Sequence, residues 1–264
     1  METVKQEKAL NRNDLESKVK SMYRDVAMNP FAGYHFHMGR GLAEKLGYEV
    51  ADLNLIPPGS LDSFAGVGYF IDIAAIRKGE SVLDLGSGSG MDSFVAASKA
   101  GEEGMVTGID MTDQQLAKAN QLAEGGGFRN VRFVKGYIED LPFDDNEFDI
   151  VISNGVINLS ATKEKVFAEI ARVLKPGGRM VIADIVTERE MPESITCDST
   201  LWASCIGGAG QEDAYQASIE NAGMEVEYVR NNSAYEFISS SARKASGKYG
   251  VKSVSFLARK NSKQ

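Results

Sequence analysis

The residues best suited to chemistry open a short apolar run. Val82-Leu-Asp84-Leu-Gly86-Ser87-Gly88-Ser-Gly90 places a carboxylate and three alternating glycines where a strand would turn into a helix. A glycine there lets backbone approach a ligand that a Cβ would fend off. The spacing narrows the ligand. A dinucleotide fingerprint, G-x-G-x-x-G, would need glycine at Met91 or at Ser93, and neither position has one. Asp84 and Asp92 flank the turn, which suits a ligand carrying positive charge better than a pyrophosphate. A third acid, in Gly108-Ile-Asp110, follows 20 residues beyond Gly90. An acid at the end of a second strand can accept both ribose hydroxyls of a nucleoside. Ile138 is placed to lie against a nucleobase, with Glu139 or Asp140 to accept from its amino group. Asn154 and Gly155, in Ser153-Asn-Gly-Val-Ile-Asn158, end a fourth apolar run.

These segments need a frame that brings them to one edge. Runs suited to buried parallel strands occur at 81–85, 105–109, 131–134, 148–153 and 179–183, and amphipathic stretches alternate with them. Two more strand candidates, 225–230 and 251–259, are expected to pair antiparallel. The fold expected is α/β: a doubly wound, seven-stranded, mostly parallel sheet with a Rossmann-like core. Residues 1–75 are expected to form an N-terminal helical cap, with 76–187 the cofactor-binding core. Residues 188–264 are expected to hold an insertion with both cysteines, then a last helix and the strand pair. Leu15, Val19, Met22 and Val26 mark a helix in the cap, with Asn13 or Asp14 as its N-cap. Thr112-Asp-Gln-Gln115 has the form of a capping box. Lys175-Pro-Gly-Gly178 has the form of a tight turn into the fifth strand.

The 264 residues carry 43% hydrophobic and 25% charged side chains, with net charge −8. That balance gives an ordinary globular core and argues against a phosphate-gripping, nucleic-acid-binding surface. The first 20 residues hold no apolar stretch of signal-peptide type, and no run reaches membrane-spanning length. Two cysteines exclude a disulfide framework, and a cytoplasmic location is the expectation. Oligomeric state is not encoded in any pattern.

Taken together, Asp84-x-Gly86-x-Gly88-x-Gly90, Gly108-Ile-Asp110, Leu141-Pro-Phe143 and Val166-Phe-x-Glu169-Ile-x-Arg172-Val-Leu-Lys-Pro-Gly-Gly178 resemble class I S-adenosylmethionine-dependent methyltransferases over residues 60–190. Within that class, Gly108-Ile-Asp-Met111-Thr112, Ser153-Asn154, Val156-Ile-Asn-Leu-Ser160 and Leu201-Trp-x-x-Cys205-Ile-Gly-Gly208 are similar to the arsenite methyltransferases. The resemblance implies S-adenosylmethionine as cofactor, Asp84, Gly86, Ser87, Gly88, Gly90, Asp110, Met111, Ile138, Glu139, Asn154 and Gly155 around it, and a small-molecule methyl acceptor. It also implies a soft acceptor, a thiol or trivalent arsenic held by cysteine thiolates. The family's cysteine after Ser-Asn is Gly155 here, and 63–68 contains none.

On the acceptor side the candidates are therefore Cys205, Cys197, His35 and His37. The two cysteines are eight positions apart, about 12 Å along one continuous helix and beyond sharing an ion; a loop between them would let them converge. His35 and His37 are the only histidines and would face one side of an extended segment. They could serve as a neutral base or lid, with Tyr34, Tyr23 and Arg40, and Arg40 could meet a carboxylate of the ligand. No metal is expected. The alternative to catalysis is an adenosylmethionine-binding sensor on the same fold.

Overall fold

The computed structural model describes residues 11–198, 201–202 and 206–262. Helix α1 (Arg12–Met28) buries the stripe Leu15, Val19 and Val26. Its N-cap is Asn11, whose side chain accepts from the Asp14 amide at 3.1 Å, two or three residues ahead of the expected cap. Asp14 donates that bond and lies inside the helix. The helix stops at Asn29, before Pro30. Helix α2 (Gly39–Leu46) and short turns of helix at Val50–Leu53, Pro58–Asp62 and Ile71–Ala74 lead to the sheet. The segment at 55–60 had the composition of a loop, but Pro58 at the first helical position starts a turn of helix.

The sheet follows the expected alternation: β1 (Ser81–Leu85), α3 (Met91–Ala100), β2 (Met105–Asp110), α4 (Asp113–Gly126), β3 (Val131–Lys135), β4 (Phe148–Asn154), α5 (Lys163–Val173) and β5 (Leu174–Thr187). A two-residue β6 (Gly210–Gln211), α6 (Glu212–Asn221), β7 (Met224–Asn231), α7 (Ser240–Tyr249) and β8 (Lys252–Lys260) close the chain. Strand order is β3-β2-β1-β4-β5-β8-β7, with β6 beside β5, so the seven expected strands gain a short eighth. The first five are parallel, while β8 runs antiparallel to both β5 and β7.

Lys175–Gly178 does not form a turn ahead of the fifth strand. It bulges within β5: Phe148 pairs with Leu174, and the next pair is Ile150 with Arg179. Pro176 has no amide to give the ladder and Gly177 takes φ +76. One face of the sheet packs against α2, α3 and α4 and the other against α5 and α6. Val82, Leu83, Ile150 and Ile152 are wholly buried between them. Arg179, 8% exposed, ties the cap to this core: its guanidinium meets both Glu80 carboxylate oxygens at 2.7 and 2.8 Å and donates to the carbonyls of Ala74 and Ala75.

Chain order reverses between the parallel neighbours β1 and β4: the connection after β1 leads to β2 on one side, and that after β4 leads to β5 on the other. Ligands of open α/β sheets bind outside the strand ends at that switch point.

Candidate active site

A cavity of about 410 Å³ lies at that point. Its floor is the turn after β1, its sides are the ends of β2 and β4 and the loop after β3, and its roof includes Leu15, Glu16, Val19 and Tyr23 of α1. Ten of the eleven cofactor-side residues named from sequence line it: Asp84, Gly86, Ser87, Gly88, Asp110, Met111, Ile138, Glu139, Asn154 and Gly155. Gly90 does not. A Cβ there would fall 2.6 Å from Phe133 and 2.9 Å from Phe94, so this glycine serves helix–sheet packing beneath the loop. Gly86 is required by the switch point itself, since its Cβ would lie 2.5 Å from Val156 of the facing strand end. At Gly88, by contrast, a Cβ would meet only Gln115, at 3.8 Å.

Asp110 accepts from the Gly88 amide at 3.0 Å and the Thr112 amide at 2.8 Å. Burial raises its carboxyl above the usual carboxylate range, and these amides pull it back. The expected capping box is not built. Thr112 sits at the N-cap position without a side-chain cap bond. Gln115 accepts from Ser89 at 2.6 Å and donates to the Tyr23 carbonyl at 2.9 Å, tying the glycine turn to α1.

Asp84 and Asp92 are buried in the wall. Ser93 Oγ donates to Asp84 at 2.5 Å; Tyr48 Oη and Asn154 Nδ2 donate to Asp92 at 2.5 and 3.0 Å. Burial, then the neighbouring Asp92, pushes Asp84 well above the ordinary value. Burial raises Asp92 to about 6, with Tyr48 and Asn154 opposing. Asn154 also accepts from the amides of Val67 and Gly68 at 2.8 and 3.2 Å, fixing the 64–68 segment over the strand ends. Across the cavity Glu139 accepts from Ser160 at 2.5 Å. The family-like Leu141-Pro-Phe143 and Glu169/Arg172 motifs form one unit beside it. Arg172 donates to the carbonyls of Leu141 and Phe143, and Glu169 accepts the Leu141 amide.

The acceptor-side expectations fare differently. Cys205 lies outside the described residues. Cys197 is half-buried, ends the short helix Glu193–Thr196 and does not line the cavity. His35 is also off the main cavity. It lines a recess of about 10 Å³ that shares Tyr23 and Ala65 with it, and burial lowers its pKa. His37 is exposed and lines neither space. Arg40 pairs with Glu44 at 2.8 Å and with Asn54 at 2.6 Å instead of facing a ligand. Tyr34 donates to the Asn29 carbonyl, while Tyr23 does line the cavity. Sequence reasoning had not marked Tyr48, Ser89, Gln115, Phe64 or the α1 face as site residues. Only the apolar stripe of α1 carried a signal, and it read as ordinary core.

The donor set suits a nucleoside with a cationic tail. Asp110 offers acceptor lone pairs, Gly88 leaves open backbone, Ser87 Oγ is buried with no partner, and two buried carboxylates have only neutral donors.

Comparison with known proteins agrees with that geometry. Residues 76–223 match the family described as "Methyltransferase domain", and the chain belongs to this family of S-adenosylmethionine-dependent methyltransferases. More particularly, it is 39% identical over 198 residues to an arsenite methyltransferase of Halobacterium salinarum, covering 75% of this chain and 50% of that one. It is 46% identical over 137 residues to the human arsenite methyltransferase, covering 48% of this chain and 36% of that one. The crystal structure of an arsenic(III) S-adenosylmethionine methyltransferase from Chlamydomonas reinhardtii is 31% identical, with TM-score 0.64 over 85% of this chain and 74% of that chain. The chain spans about half the length, or less, of the curated relatives it matches. Among the described residues no helix is long and apolar enough to cross a membrane.

Proposed function

We propose that the chain transfers a methyl group from S-adenosylmethionine to a small nucleophile held beneath α1, and that trivalent arsenic carrying thiolate ligands is that nucleophile. The observation that supports it is the cavity at the switch point, lined by Asp84, Gly86, Gly88, Asp110 and Asn154. In this reading Asp110 accepts the ribose hydroxyls, Ile138 flanks the adenine, and the Gly86–Gly88 backbone passes beneath the amino-acid end. When bound, the cofactor supplies an electrophilic methyl on a sulfonium centre. The protein has no new charge to stabilise during such a displacement, so its task is orientation and exclusion of water, worth about 7–11 kcal/mol at most. Leu15, Val19, Phe64, Val156 and Leu159 give the cavity an apolar roof suited to that exclusion.

The arsenic acceptor rests on the names of the relatives and on the motif around Cys205. Cys197 lies off the cavity wall, which favours an arsenic species that brings its own small-thiol ligands. We place this chemistry in the cytoplasm, where such thiols stay reduced, with no nucleic-acid or membrane partner; the net charge of −8 and two cysteines support that placement. The test is S-adenosylhomocysteine formation with arsenite plus a reducing thiol, beside thiol alone and small hydroxyl acceptors, in wild type and Cys205→Ser. Turnover that requires arsenite and falls in Cys205→Ser supports the proposal. Turnover with thiol alone would reassign the acceptor, and binding without turnover on any acceptor would favour a sensor.

A further inference from the structure

Lys163 opens α5, directly behind the stretch 159–162 that lines the cavity. Its ammonium is turned inward. It donates to the Ser160 carbonyl at 2.8 Å and lies over the Trp202 ring, 4.7 Å from the centroid. Among the described residues no carboxylate comes within ion-pair distance of it. The charges that face it act at longer range: Asp184 from β5, Glu139 from the loop after β3 and Glu164 on α5 itself. Burial pushes the amine down to about 8 against the pull of these carboxylates, so it is still charged at neutral pH. An apolar side chain of this length would fill the same place without desolvating a charge. The cation is kept in spite of that penalty, and the side chain it touches is Trp202.

Trp202 joins three parts of the cavity's surround. It is 7% exposed and shares one apolar cluster with Leu15 and Val19 of the α1 roof and with Leu159 and Ala161 of the wall. Its indole N–H donates to the Thr196 carbonyl at 2.5 Å. A Cβ at Gly207 would run into the indole ring, and one at Gly208 into the Asn158 carbonyl, so the chain after the tryptophan closes tightly against both. This cluster stands apart from the two that hold the faces of the sheet. At this end the roof therefore leans on Trp202 rather than on the sheet's own core.

We infer that Lys163 is a positioning residue for methyl transfer: its ammonium fixes the Trp202 ring, and Trp202 in turn holds Leu15 and Val19 of α1 over the acceptor. Lys163 itself touches no ligand, because it lies outside the cavity lining. A neutral side chain of similar length keeps the packing and loses the attraction between charge and ring face, which is strongest where water is excluded. The acceptor's place beneath α1 rests on the function proposed above; the hold of Lys163 on Trp202 does not.

Lys163→Met keeps the stem and removes the charge, while Lys163→Arg keeps a cation that can stack on the ring. In the ligand-free protein, acrylamide quenching of Trp202, the chain's single tryptophan, reads the contact. Lys163→Met should raise quenching, and Lys163→Arg should stay near wild type. With saturating S-adenosylmethionine and with arsenite plus dithiothreitol as acceptor, Lys163→Met should raise the acceptor KM roughly 2- to 30-fold, the span of one cation–π contact from exposed to desolvated. S-Adenosylhomocysteine affinity should hold within about twofold. Trp202→Phe should raise the same KM, and the double variant should raise it by less than the product of the two. Unchanged quenching and KM in a folded Lys163→Met protein, no rescue by Lys163→Arg, equal weakening of cofactor and acceptor, or independent effects of the two substitutions would overturn the proposal. No arsenite turnover in the wild type would overturn the function proposed above instead, and the quenching comparison would still decide whether Lys163 holds Trp202.

Discussion

Replacing Asp110 by alanine is the most informative single change to the proposed cofactor site. The carboxylate holds the Gly88 amide at 3.0 Å and the Thr112 amide at 2.8 Å while facing the cavity. A hydrogen bond from a neutral hydroxyl to an ionised carboxylate contributes about 1.5–3 kcal/mol. At 1.4 kcal/mol per decade, loss of one such bond weakens binding about 10- to 150-fold. Losing both ribose contacts would weaken binding beyond that range, and release of the Gly88 amide adds disorder in the turn. Isothermal titration with S-adenosylhomocysteine measures the effect directly, with circular dichroism to show the variant folded. Asp110→Asn keeps the size and one acceptor, so it should fall between wild type and alanine. Affinity of a folded Asp110→Ala variant within about threefold of wild type, under 1 kcal/mol, would refute the placement of the ribose.

Other consequences can be checked separately. Arg179→Ala strips Glu80 of its buried partner and frees the carbonyls of Ala74 and Ala75. It should cost on the order of 3–5 kcal/mol, read as a lower midpoint in urea with unchanged slope. Asp184 is buried beneath Tyr215 and the Asn158 amide, and burial raises it from 3.8 to about 6. Its raised folded-state pKa gives stability that is present below 3.8 and lost as pH rises through 6. The stability of wild type relative to Asp184→Asn should therefore fall by about 2.4 kcal/mol between pH 4 and 7, and a flat difference in urea unfolding would contradict the burial argument. Trp202, the chain's single tryptophan, packs on Leu15 and Val19 of α1, the residues that roof the cavity. Ligand binding should shift its emission, and Leu15→Ala should raise acrylamide quenching; neither change would occur if α1 did not cover the site.

The floor and sides of the cavity were legible in sequence because strand ends in this fold are written locally. Asp84, Gly88 and Asp110 each follow an apolar run directly, so finding the strands places the residues. The same logic overreached at Gly90, where the glycine answers to Phe133 and Phe94 beneath the turn. Gln115 shows a different limit. Its spacing from Thr112 fits a capping box, but tertiary partners from two other elements, Ser89 and Tyr23, claim its side chain. The roof of the cavity was not legible because α1 and Phe64 reach it, and Tyr48 reaches Asp92 behind its wall, only through the packing of the cap. Nothing in a helix's own periodicity states which edge of a sheet it will cover. His35 and Arg40 were picked for their chemistry, and their surroundings turn them elsewhere.

Transfer of a trideuterated methyl group from labelled S-adenosylmethionine, followed by mass spectrometry of the arsenic and thiol species, tests the central claim most directly. The account predicts a labelled methyl on arsenic in the presence of arsenite and small thiols, and formation at limiting cofactor reduced in Asp110→Ala in step with its weaker binding. Cofactor bound in the cavity with no label reaching any acceptor, or transfer undiminished in Asp110→Ala, would contradict it.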